Sequence, residues 1–350
     1  MKIKTEELRK FLTVAGQIKL NPTATNLDII KIECTGQEII FTKTNNNIWC
    51  KYSYACQPNA PEAFLINERL LNGVILTTKE YEVDITEGID DTIQIVSGED
   101  IVKTAKQDIK IFPVIQESKG DKAVISKEAV ERIRIASKYK SNAINRTAMN
   151  FVQIGLDGIF AANGSILYYH NTFPLPEVFF DEEPLNIMRS GDDMFYWTSD
   201  AYDFFQSEGF TFGFIKSFVK ALPYLQILQQ SGNEWFNCKR EDLIDFCTLV
   251  QYSKRQENPE ATFASINEKV LLLKYQDKDF NINVSRNITI ESNAPVLDYN
   301  FNVEQVAILL KTLPYQVLKF TRIPNGHYLV TTPEDEAYKG IIARLADKNN

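Results

Sequence analysis

Histidine is almost absent from this chain, with 2 in 350 residues, His170 and His327. They lie far apart in sequence, and neither has neighbours that would assemble an acid, a base and a nucleophile. Cysteine is scarce. Cys34, Cys50, Cys56, Cys238 and Cys247 form an odd set without metal-ligand spacing. Such a set reads as reduced, mostly buried thiols. No apolar run is long enough to span a bilayer, and the opening MKIKTEELRK lacks the hydrophobic stretch of a secretory leader. Gly155, Gly158 and Gly164 do not sit in a strand, glycine loop and long helix, so no phosphate-binding loop is expected. The acidic pairs Asp90–Asp91 and Asp192–Asp193, and the run Asp181–Glu183, read as turns and loops. These absences argue against an enzyme, a cofactor, a metal and a membrane protein.

Aromatics are plentiful, with 22 Phe and 15 Tyr, which favours strands. The net charge is −8. That argues against indiscriminate binding to nucleic acid but permits a basic face confined to one side. The length predicts two or three domains, and three of about 115 residues fit the usual range.

A strand running straight into an amphipathic helix occurs three times: MKIKTEELRKFLTVA, AVISKEAVERIRIAS and WFNCKREDLIDFCTLV. Repetition on this scale suggests a ring or an array. The pattern predicts an α+β protein of three repeated domains, 1–118, 119–232 and 233–350. Each is a doubled unit of strand, helix and several strands. Helices are predicted from Thr5, over Asn67–Gly73, Lys127–Tyr139 with Ser126 as cap, Arg240–Gln251 and Val303–Leu313. Domain 119–232 has an irregular, shortened second half, interrupted by Pro174, Pro176 and Pro184, with room for a very short helix near Leu185–Arg189. The LPYLQIL stretch around Tyr224 reads as the end of a strand.

Lys127, Glu131, Arg134 and Lys138 recur at helical spacing and share a face. Arg132, Lys140 and Arg146 add charge nearby. Phosphate attraction needs only such charge, with no base-reading geometry. Taken alone, the same pattern describes a solvated helix face. Fainter candidates are Arg9, Lys10, Lys19 and Arg69 in the first domain, and Lys239, Arg240, Lys254, Arg255 and Lys311 in the third.

Several stretches resemble one known family. Asp28–Tyr54 is similar to its first-domain strands, AANGSIL at Ala161–Leu167 to a turn in its second domain, and KALPYLQIL to the segment that ends that domain. FNVEQVAILLKTL and the closing KGIIARL are similar to its third domain. The family is the bacterial DNA polymerase sliding clamp, the polymerase III β subunit. In KGIIARL, Arg344 and Leu345 match while Ile342 and Ala343 differ. In AANGSIL, Ser165 and Ile166 replace the usual histidine and arginine.

The resemblance implies a DNA clamp fold and a head-to-tail homodimer closing a ring around duplex DNA. It implies a non-enzymatic processivity factor, cytoplasmic, in a bacterium or encoded by a bacteriophage within one. The basic residues above would face the DNA without regard to sequence. The polymerase and the clamp loader would bind by short linear peptides. Their pocket would comprise Met149, Ala162, Gly164, Ile166 and Leu167, with Asn302, Gln305, Ile341, Ile342, Ala343 and Arg344. The alternative is a clamp-fold scaffold that recruits partners without efficient encirclement.

Overall fold

The computed structural model describes residues 1–19, 28–57, 60–143, 145, 147–155, 157–171, 177–188, 193–217, 219–254, 259–267, 269–295 and 298–345. Arg146, Arg255 and the last five residues, named above or at the chain end, lie outside this set. The described residues form an α+β fold with antiparallel strand pairing.

Seven helices are described: α1 (Thr5–Ala15), α2 (Glu68–Thr77), α3 (Lys127–Ser137), α4 (Glu182–Ile187), α5 (Tyr224–Leu228), α6 (Arg240–Ser253) and α7 (Val303–Thr312). Local chemistry starts them. The Asn67 side chain accepts from the Arg69 and Leu70 N–H groups, and Asn302 accepts from Gln305 N–H. Each such cap stabilises by about 1 kcal/mol. Ser126 Oγ accepts from Ala129 N–H at 3.3 Å, as the sequence predicts. Pro314 follows the end of α7.

Two elements differ from expectation. The short helix predicted near Leu185–Arg189 begins earlier, at Glu182, because Pro184 is tolerated in a first turn. The segment at Tyr224 is a helix, not a strand. Tyr224 and Leu228, one turn apart, are its buried residues, so burial of one helical face outweighs strand propensity. Among the described residues of 119–232, the short elements are the strands Ala123–Ile125 and Val178–Phe180 and the helices α4 and α5.

The chain divides into two compact units, 1–130 with 182–217, and 131–181 with 218–350. Each holds one four-stranded sheet and one larger sheet. In the first unit the eight-stranded sheet is sewn together where Ile48–Ala55 pairs with Phe210–Ile215, Cys50 opposite Phe212. In the second unit the nine-stranded sheet has a matching seam, Ile166–His170 against Tyr338–Ile342, Tyr168 opposite Gly340. The four-stranded sheets end on Asp100–Ala105 and on Ile282–Thr289 respectively, and these two edges are unpaired among the described residues of the chain.

Strands Gly158–Ala162 and Ile166–His170 are buried at every position, so both faces of the sheet are covered there. On one face Tyr139, Tyr168 and Tyr338 pack ring against ring, with neighbouring centroids 5.2 and 5.7 Å apart. On the other face Phe160, Leu167, Tyr169 and Ile341 meet Tyr224 and Leu228 of α5.

Candidate partner cleft and basic helix faces

The cleft begins with a turn. In Asn163–Gly164–Ser165–Ile166, the Asn163 side-chain oxygen accepts from the Ser165 and Ile166 N–H groups at 3.0 and 3.1 Å. Gly164 sits at φ 93, a conformation that suits glycine. This clasp ends strand Gly158–Ala162 and points Ile166 and Leu167 into the seam. The same clasp recurs at Asn45, which accepts from Asn47 and Ile48, and at Asp277, which accepts from Asp279 and Phe280. The local structure therefore repeats three times along the chain.

Beside the turn lies a cleft of about 190 Å³, lined by Met149, Ala162, Gly164, Ser165, Ile166, Leu167, Tyr224, Ile227, His327, Ile341 and Ala343. Seven of the eleven residues predicted for the pocket, Met149, Ala162, Gly164, Ile166, Leu167, Ile341 and Ala343, meet there. The other four do not line it. Ile342 is buried, and its carbonyl accepts from Tyr299 Oη at 2.5 Å. Asn302 is occupied as the cap of α7. Gln305 Oε1 accepts from Asn163 Nδ2 at 2.5 Å and so braces the turn from behind. Arg344 presents its backbone, with its N–H donating to His327 Nδ1 at 3.1 Å.

Ser165, Tyr224, Ile227 and His327 are the lining residues that sequence reasoning missed. The i, i+3 spacing of Tyr224 and Ile227 was the available signal. His327 comes from the loop before strand Tyr328–Thr331, and nothing in its neighbourhood announces a cleft. Burial pushes its pKa below the ordinary histidine value, so the ring is neutral at pH 7. The bond from Arg344 then fixes its proton on Nε2. An almost wholly apolar cleft with a few polar atoms suits a short peptide bearing apolar side chains.

The basic residues separate into two groups. Among the described residues, Lys127, Arg134 and Lys138 on or beside α3 enter no ion pair, and all three are exposed. Lys239 and Arg69 are exposed as well. The others are engaged. Arg9 donates to the Ile75 and Thr78 carbonyls at 3.2 and 3.1 Å, closing the C-terminal end of α2. Arg240 does the same for α7 through the Leu310 and Leu313 carbonyls. Cations there satisfy open carbonyls and the helix dipole. Lys10 lies over the Tyr52 ring at 5.2 Å. Lys19 pairs with Glu182 and Lys254 with Glu304. Lys140 donates to Asn142 and Lys311 to Gln251.

Arg132 turns inward. It donates to Tyr315 Oη at 3.2 Å and to Asp335 Oδ2 at 3.3 Å. The same Asp335 oxygen accepts from Tyr315 at 2.5 Å and lies 3.1 Å from His170 Nε2. Burial of the Asp335 carboxylate works to raise its pKa, but the hydrogen bonds from Tyr315 and His170 prevail and hold it below the ordinary range. Burial pushes His170 down, against its bond to Asp335.

No protein-family model matches this sequence, and no curated protein matches it. Solved structures do. The fold is similar to the DNA polymerase sliding clamp of Bacillus subtilis, at a TM-score of 0.89 and 13% identity over 99% of this chain and 98% of that one. It is similar to the DNA polymerase III subunit β of Pseudomonas aeruginosa, at 0.88 and 14% over 99% and 100%. A putative polymerase III β subunit of Eubacterium rectale matches at 0.88 and 12% over 99% of both chains. From end to end, then, this chain has the fold of the bacterial DNA polymerase III β-subunit sliding clamps.

Proposed function

We propose that the protein is a sliding clamp, a non-enzymatic ring that encircles duplex DNA in the bacterial cytoplasm and tethers a DNA polymerase. The observation that carries this reading is the pair of unpaired sheet edges. Each seam joins the last strand of one half-repeat to the last strand of another. Two such seams are made within the chain. Their pattern leaves one strand of each kind over, Asp100–Ala105 and Ile282–Thr289. A second copy supplies both missing partners, and two identical seams then close a ring. Closure removes the edges that would otherwise invite aggregation.

Three repeats of 1–118, 119–232 and 233–350 account for this pattern: each larger sheet shares strands from two adjacent repeats. In the ring, Lys127, Arg134 and Lys138 face the DNA backbone, with Lys239 and Arg69 as further contacts. They attract phosphate without reading sequence, which sliding requires. Enclosure holds the DNA, so the contacts can be loose. The cleft at Leu167 and Ile341 takes short peptides of the polymerase and of the loader that opens the ring.

The cleft is tested with Ala343→Asp and a fluorescein-labelled Gln-Leu-Ala-Leu-Phe peptide. A carboxylate set against apolar walls penalises an apolar ligand. The expected result is one peptide bound per wild-type chain and at least about tenfold weaker binding to the variant, a loss of about 1.4 kcal/mol. Equal affinity for both proteins contradicts the assignment.

A further inference from the structure

The first unit contains a second cleft, of about 380 Å³, between α2 and the edge strand Asp100–Ala105. Val74, Thr77, Gly73, Ile95, Ile101 and Val102 are among its walls. The second unit shows what fills the corresponding place there. Counting from the capping residues Asn67 and Asn302, Val74 corresponds to Leu309 and Thr77 to Thr312. The correspondence extends to hydrogen bonds. Thr77 Oγ1 lies 3.0 Å from the Gly73 carbonyl and 3.1 Å from the Val74 carbonyl, and Thr312 Oγ1 donates to the Leu309 carbonyl at 3.0 Å. Arg9 and Arg240 close the equivalent carbonyls of α2 and α7.

At the end of α7 one more group is present. Tyr139 is buried against it, and its hydroxyl lies 2.7 Å from Thr312 Oγ1 and 3.3 Å from the Leu309 carbonyl. At the end of α2 no such group is recorded among the described residues. Tyr139 stands thirteenth counted from Lys127, the first residue of α3. The thirteenth residue of α6, counted from Arg240, is also a tyrosine, Tyr252. It is 88% exposed. Leu249, which corresponds to buried Ala136, is 48% exposed. A large aromatic and a leucine left in water on one flank of a helix indicate a covered surface.

We propose that Tyr252 of one copy inserts into the α2 cleft of a second copy, where its hydroxyl bonds Thr77 Oγ1. This rests on the ring reading above and names the side chain that fastens it. Gly73 keeps the cleft open: a Cβ there would meet nothing within 4 Å, whereas the matching residue of α7 is Ile308. The ring uses the contact twice, so each loss counts twice.

The test is the dimer dissociation constant by analytical ultracentrifugation for the wild-type chain, Tyr252→Ala, Tyr252→Phe and Gly73→Leu. Tyr252 is exposed in the single chain, and leucine favours a helix over glycine, so all three variants fold, as circular dichroism checks. Removing the ring at two central contacts raises the constant about a thousandfold. Removing only the hydroxyl raises it about tenfold. Gly73→Leu, which fills the cleft, weakens the dimer while leaving the monomer at least as stable. A wild-type dimer that all three variants leave unchanged overturns the Tyr252 contact and spares the ring. A wild-type chain that stays monomeric at every concentration overturns both.

Discussion

If two copies close the proposed ring, the two seams inside each chain dictate the register of the seam between them. Ile29 faces the cap Asn67, and Glu260 faces the cap Asn302. Three residues on, Ile32 leads across the sheet through Phe41 to Tyr52, and Phe263 leads through Leu273 to Arg286. Tyr52 and Arg286 are therefore counterparts, as are Lys51 and Ser285. On the other side, Lys2 leads through Asp84 and Val96 to Ile101, and Val124 leads through Phe195 and Gln206 to Thr211. Thr211 faces Lys51, and Phe210 faces Tyr52. In the ring, Ser285 must face Ile101, and Arg286 must face Asp100. The second pair brings opposite charges together. Directly opposite Cβ atoms lie about 4.5–5.5 Å apart and diagonal ones about 7–8 Å. A disulfide needs roughly 3.5–4.5 Å. With Cys56→Ser as background, the other four cysteines being buried, Ser285→Cys with Ile101→Cys should cross-link the dimer under mild oxidation. Ser285→Cys with Lys103→Cys, displaced by two residues, should not. Asp100→Arg should loosen the dimer, by up to about 1 kcal/mol per seam and so up to about thirtyfold for the two. Cross-linking through Lys103→Cys in preference to Ile101→Cys would refute the register and the repeat alignment behind it.

Two further outcomes concern the fold. Asp335→Asn keeps the shape but removes the charge that Arg132, Tyr315 and His170 share; it should lower unfolding free energy by about 2–3 kcal/mol in urea titrations, and a loss under about 0.5 kcal/mol would show the cluster to be passive. Burial lowers the pKa of both His170 and His327 below the unfolded value. The unfolded chain therefore binds protons first, and stability, fully present above about pH 6.5, should fall as pH drops from there towards the folded values. His327→Asn should flatten that fall in melts between pH 7.5 and 5.5, because protonation of Nδ1 also breaks the bond from Arg344; melts that rise on acidification would contradict it.

The repeat and the helices at Lys127, Arg240 and Val303 were legible as local hydrophobic pattern, whereas the cleft residues followed only from the family resemblance. Asn163–Gly164–Ser165 act locally, through a turn, but Leu167 meets Ile341 only across the seam between distant strands. The basic residues were less legible, because charge does not reveal its partner. Arg9 and Arg240 are committed to helix ends and Arg132 to Asp335, by contacts that span 66 to 203 positions of chain. Tyr224 escaped because α5 has only five residues, so the i, i+3 spacing of Tyr224 and Ile227 is its one sign of a helix. His327 escaped because its role comes from the Arg344 amide, 17 residues away.

Encirclement is a topological property, and circular DNA reveals it. The protein is placed on closed circular DNA, by its loader or by spontaneous ring opening, and its retention is followed before and after a single cut. A ring should stay on the circle and leave rapidly once the DNA has ends. Equal loss from circular and linear DNA, by protein that still binds the Gln-Leu-Ala-Leu-Phe peptide and still dimerises, would contradict the account.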